Sequence, residues 1–182
     1  MRVLTALAGA AMMAFAIFPA SATMRITGDP GGQIGPYLEN LASLRSSGEH
    51  VVIDGPCLSA CTMVLGVIPR DHLCVTPRAR LGFHSAWRPD QTGHPVVSRD
   101  GTQLLMTVYP QQVRNWIARR GGLSPHMMYL TGRELASMYP ACSEEERGVA
   151  AGRDFGPAHA LARPVAASFA SSRKARRKPP QP

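Results

Sequence analysis

The nineteen residues from His50 to Ile68, "HVVIDGPCLSACTMVLGVI", constrain this chain more than any other stretch. The first five read as a strand that is apolar almost throughout. Such strands occur where helices cover both faces of a parallel sheet. From Ser59 to about Ile68 the residues are small or apolar on every side of a helical wheel, and a helix of that kind is buried. A buried strand that runs straight into a buried helix needs layers on either side of it, so an α/β layered domain is expected.

The flanking sequence fits such a domain. "TMRIT" reads as a short strand broken by "GDPGG". Ile34, Tyr37, Leu38, Leu41 and Leu44 recur at helical spacing between Gln33 and Ser47, and Gly48 stands where that helix should stop. "LCVT" and "RLGFHS" are further strands. Residues 87–101 read as a loop, and Thr102 to Arg120 as a helical region interrupted at Pro110, with Trp116 and Ile117 facing the core. "LSPHMMYLTGRELASMYP" predicts two short helical pieces. One starts at Ser124 and Pro125; the other starts at Thr131, with Glu134 at capping-box spacing.

Residues 1–22 have the layout of a signal peptide: Arg2, an apolar run from Leu4 to Phe18, and Ala20-Ser21-Ala22 before the cut. The run is shorter than the roughly 20 residues of a membrane span. An uncleaved anchor is the alternative. Cleavage leaves 160 of the 182 residues: a domain over 23–163 and a basic, proline-containing tail over 164–182. A periplasmic or secreted location follows. In an oxidising compartment, Cys57, Cys61, Cys74 and Cys142 are candidates for disulfides, in any of three pairings. The Cys57–Cys61 spacing also suits a metal or redox pair, but no second cysteine pair or histidine pair completes a ligand set.

The formal charge of +8 suggests nucleic acid only until it is placed. Arg2 contributes one positive charge and "SSRKARRKPPQP" five, leaving +2 for residues 23–170. No nucleic-acid partner is expected. The tail has nothing large and apolar to bury and is expected to be disordered, either solvated or touching anionic surfaces.

"DPGG", a helix, "HVVIDG", "CLSACT" and "RLGFH" follow one another in the order seen in the Clp peptidase and crotonase superfamily, over about Met24 to Pro140. The chain resembles exported, bacterial Clp-protease-like members most. The resemblance implies a Clp-peptidase-like layered sheet with helices, shortened at its N-terminus. It implies a nucleophile at Ser59, a base at His84 twenty-five residues later, and an oxyanion hole from the N–H groups of Gly32 and Ala60. The chemistry suits the residue types. A serine hydroxyl attacks only when a base takes its proton, and histidine does so near neutral pH. The unpaired N–H groups that open a helix favour developing negative charge. No nucleotide loop or metal set is visible, so no cofactor is expected; a peptide or other acyl compound is the expected partner.

The bland alternatives are that Ser59 is a buried helix cap, His84 a packed histidine and Gly31-Gly32 a turn. Two departures from the family also matter. Where it has an acid to orient the histidine, this chain has Met127; Glu134 is expected to cap its own helix, and Asp154 has little support. The portion usually found ahead of "PGG" is missing, which disulfides or a homo-oligomer would offset. Two functions follow from the sequence: an exported serine hydrolase using a Ser59–His84 dyad, or a catalytically inactive binding or scaffold protein of the same fold.

Overall fold

The computed structural model describes residues 23–148. The signal peptide expected at 1–22, Asp154, the end of the expected domain to 163 and the expected tail at 164–182 lie outside the described residues.

The described residues form a mixed α/β fold with three small sheets. Thr23–Ile26 (β1), His50–Ile53 (β2) and Leu73–Val75 (β4) form a parallel sheet in the order β1-β2-β4. In its register Val51 lies opposite Met24 on one side and Leu73 on the other. Pro56–Leu58 (β3), Arg80–Phe83 (β5) and Met128–Thr131 (β8) form the second sheet, with β3 parallel and β8 antiparallel to the central β5. Trp87–Pro89 (β6) and Pro95–Val97 (β7) make a hairpin.

Helix Ile34–Ser47 (α1) buries Tyr37, Leu41 and Leu44 and ends at Gly48, whose φ of 69° a side chain would oppose. Val64–Val67 (α2) follows a 3-10 turn over Ser59–Met63. Arg99–Val108 (α3) and Gln111–Arg119 (α4) are separated at Pro110; Gly132–Ala136 (α5) and Glu144–Gly148 (α6) are short. Among the described residues no helix is long and apolar enough to cross a membrane.

Val51, Val52 and Ile53 are fully buried, as a strand covered on both faces requires. Val51 and Ile53 join the main core, whereas Val52 packs with Cys74 and Cys142 on the other side. Those two cysteines are bonded to each other, and so are Cys57 and Cys61. Under β5, Phe83 meets Tyr109 and Trp116 with ring centres 5.3 and 5.4 Å apart. Contacts of this kind are worth about 0.5–1.5 kcal/mol each beyond the area they bury.

Asp54, just past β2, ties the first sheet together. It receives Arg25 from β1 at 2.8 Å, and Thr76 and Arg78 Nε from beyond β4 at 2.7 and 3.0 Å. Burial pushes its carboxyl up, but the hydrogen bonds from Arg78, Thr76 and Arg25 outweigh that and hold it down at about 2.

Several sequence expectations are corrected. The helix expected from Ser59 to Ile68 is a 3-10 turn and one α turn, and Ile68 is extended. Thr62 donates to the Ser59 carbonyl three residues back at 2.6 Å, and Pro69 disfavours a helical Ile68. The 87–101 loop holds the β6–β7 hairpin; its turn is organised by Asp90, whose carboxylate accepts from the N–H groups of Thr92 and His94. The helix expected from Ser124 is absent: "MYLT" is β8, drawn into extended pairing with β5. Thr131 makes no capping bond, and Glu134 reaches Arg120 at 2.8 Å instead of capping α5.

Candidate active site

Ser59 sits at the reversal between β3 and the 3-10 turn. Leu58 is extended (φ −113°, ψ 152°), and Ser59 then takes φ +55°, the only positive φ of a non-glycine residue among the described residues. A left-handed conformation costs an L-residue about 1–2 kcal/mol, so its surroundings must hold it there. Three features do so. The Thr62 hydroxyl holds the Ser59 carbonyl and lies 2.7 Å from the Tyr109 hydroxyl in the core. Burial pushes the Tyr109 phenol up to about 12, so it stays protonated and donates to the Thr62 hydroxyl oxygen, whose own proton goes to the Ser59 carbonyl. The Cys57–Cys61 disulfide bridges the residues two before and two after Ser59. From outside, the "PGG" turn presses on the reversal.

β5 places His84. Leu81 and Phe83 point into the core, so the alternation of the strand turns Gly82 and His84 to the opposite face. His84 Nε2 lies 2.8 Å from Ser59 Oγ, and Nδ1 lies 2.7 Å from the Ser85 carbonyl. A carbonyl only accepts, so in the neutral ring Nδ1 carries the proton and Nε2 accepts from the serine hydroxyl. That tautomer can remove the serine proton. The Ser85 carbonyl is itself held, because Ser85 N–H donates to Ser124 O at 2.7 Å and Ala86 N–H to Thr102 Oγ1 at 3.0 Å. No carboxylate touches the ring among the described residues. Met127 lies near the virtual Cβ of Gly82, with its sulfur 2.8 Å from that point.

The turn at 29–32 is built on Asp29, which is 1% exposed. Its N–H donates to Pro56 O and its carbonyl accepts from Leu58 N–H, both at 2.8 Å, so it pairs with the edge of β3. Its Oδ1 accepts from Gly31 N–H at 2.8 Å and from the Tyr37 hydroxyl. Burial raises the Asp29 carboxyl, partly opposed by the bonds from Tyr37 and Gly31. Gly31 has φ +86°, and a Cβ there would lie 2.5 Å from Leu58 O, 2.6 Å from Ser59 Cβ and 2.9 Å from Ala60 N. Only glycine allows that approach. The turn therefore lies directly against Ser59 and Ala60. Gly31 N–H is taken by Asp29, whereas Gly32 N–H has no partner among the described residues.

The structure thus brings Ser59, His84, Ala60 and the Gly31-Gly32 turn together and keeps Glu134 with Arg120, away from the ring. Of the other histidines, His50 pairs with Glu146 at 2.9 Å. His50, Cys74 and Glu146 lie within 4.8 Å of one another, but the Cys74 sulfur is consumed by its disulfide and offers no thiolate. Sequence reasoning missed Asp29, Thr62, Tyr109 and the Ser85 carbonyl. Asp before Pro-Gly-Gly is a turn signal that pointed at the first, and a threonine three residues after a reversal pointed at the second. A backbone carbonyl leaves no signal in residue type.

No family model matches the chain, and no curated protein matches it. Among solved structures, a mutant ClpP1 from Listeria monocytogenes is similar over 64% of this chain and 86% of that one, at 12% identity and a TM-score of 0.32. So slight a likeness does not bear on chemistry.

Proposed function

We propose that this chain is an exported, peptidase-like serine hydrolase that works through an acyl-enzyme on Ser59. The observation that carries the reading is the 2.8 Å contact from Ser59 Oγ to a His84 ring whose other nitrogen is committed to a carbonyl. In the first step Oγ attacks the acyl carbon while its proton passes to Nε2. The carbonyl oxygen becomes an oxyanion, received by the N–H groups of Gly32 and Ala60. One such donor is worth about 3–4 kcal/mol of transition-state stabilisation. The intermediate then collapses, the Nε2 proton goes to the leaving nitrogen or oxygen, and the acyl group stays on Ser59. Water, deprotonated by His84, releases it.

The Ser85 carbonyl replaces the usual acid in one of its two roles. It fixes the tautomer, whose loss accounts for a roughly 10⁴-fold drop when a triad acid is made neutral. It brings no negative charge to the imidazolium, so turnover slower than that of a full triad is expected. The same feature supports a second reading, a silent binding or scaffold module that keeps the fold. Two disulfides are compatible with a periplasmic or extracellular location, which we include in the proposal together with self-association and contact of the 164–182 tail with anionic surfaces.

A fluorophosphonate probe tests the reading. Labelling of the oxidised protein is expected, with its loss in Ser59→Ala and a drop of at least a hundredfold in His84→Gln. No labelling of wild type between pH 6 and 9 would sink the hydrolase and leave the silent module.

A further inference from the structure

We propose that the Cys57–Cys61 disulfide is a positioning element for the Ser59 hydroxyl, holding the chain reversal that keeps this residue left-handed and within reach of His84. This rests on the hydrolase reading above and deepens it.

Five residues in extended conformation span about 13 Å from first to last Cα. Cys57 belongs to β3 and Cys61 to the 3-10 turn, yet their Cα atoms are 5.3 Å apart. The chain must turn back between them, and it does so at Ser59, the only non-glycine residue with positive φ among the described residues. The bond therefore closes a ring around the strained residue itself. Both cysteines are buried, at 0% and 1% exposure, among core side chains. Apolar residues would fill that space equally well; only a covalent bond fixes the span. The ring is also a poor general stabiliser. Closing a separation of 4 residues restricts the unfolded chain much less than closing the 68 of Cys74–Cys142.

The reversal is held from two sides. The disulfide grips it from the core, and Gly31 lies against it from outside, at a distance that excludes a Cβ. Without the bond, Ser59 relaxes toward negative φ, and its Oγ swings away from Nε2. The imidazole has anchors of its own, because Ser85 donates to the Ser124 carbonyl and Ala86 to the Thr102 hydroxyl, and these bonds do not involve the cysteines.

The test compares wild type with C57A/C61A, with C57V/C61A, which restores the lost sulfur volume, and with C74A/C142A. Fluorophosphonate kinetics separate the inactivation rate constant from affinity for the probe. Both Cys57/Cys61 variants should lose at least tenfold in the rate constant, with affinity unchanged and a small shift in melting temperature. C74A/C142A should do the reverse, melting much earlier but labelling within twofold of wild type below its transition. A Cys57/Cys61 variant of either kind that labels at the wild-type rate would overturn the proposal. The ¹³Cα and ¹³Cβ shifts of Ser59 are an independent readout. They should move from left-handed to right-handed values on loss of the bond, and unchanged shifts would overturn the proposal. If wild type fails to label at all, the hydrolase reading falls while the shift comparison still decides the role of the disulfide.

Discussion

Replacing Gly31 by alanine measures how hard the "PGG" turn presses on Ser59. The proper comparison is Gly93→Ala, because the two glycines have nearly the same φ, +86° and +87°. Each alanine meets the same left-handed penalty of about 1–2 kcal/mol, and each gains the same unfolded-state restriction. The difference between them is contact. A Cβ on Gly93 meets nothing within 4 Å, whereas one on Gly31 falls 2.5 Å from Leu58 O and 2.6 Å from Ser59 Cβ. Relieving overpacking of that sort costs about 1–3 kcal/mol more. For a domain of this size a kcal/mol moves the melting temperature by about 4 °C. Gly93→Ala should therefore melt about 5 °C below wild type and Gly31→Ala about 12 °C below, in calorimetry with disulfides intact. Probe labelling, read well under both transitions, should survive in Gly93→Ala and collapse in Gly31→Ala, since the strain is released into the reversal. Equal losses of stability, or wild-type labelling by Gly31→Ala, would refute the contact between the turn and Ser59.

Two further outcomes follow from the scaffold. Removing Cys74–Cys142, which closes a separation of 68 residues, should cost about 4 kcal/mol by the chain-entropy account, seen as a lower midpoint in urea. Asp54 sets an acid limit: its folded value of about 2 lies below the ordinary 3.8, so its contribution, about 2 kcal/mol, is present above pH 4 and lost as pH falls toward 2. Arg78→Ala should raise the folded value and start acid unfolding at higher pH; superimposable acid curves would deny the pairing. Asp29, raised by burial, acts with the opposite sign, losing its contribution as pH rises, but equally in both proteins.

Elements with strong periodicity were legible in the sequence. β1, α1, β2, β4 and β5 lie where the apolar patterns put them, and the break at Pro110 separates α3 from α4. What failed was set by tertiary pairing. β8 owes its extended form to β5, since "MYLT" alone is equally apolar as a helix. The β6–β7 hairpin has three-residue strands bounded by prolines, too short for alternation to register. At the candidate site, the pairing of Ser59 with His84 was an expectation of the family resemblance, since residue types and spacing alone do not bring the two together. Its supports were not legible: the left-handed φ, the disulfide partners and the Ser85 carbonyl all depend on where the backbone goes.

The last rung of the parallel sheet has a consequence for association. Residues 140–142 run beside β4, with Val75 N–H donating to Pro140 O at 2.9 Å and Cys142 N–H to Val75 O at 3.1 Å, and the adjacent sulfur bridge locks them there. That margin is latched shut. The outer margin of β1 carries no partner strand among the described residues. Strand-to-strand stacking into a ribbon needs two open margins per molecule, so copies joining through this sheet would stop at a pair.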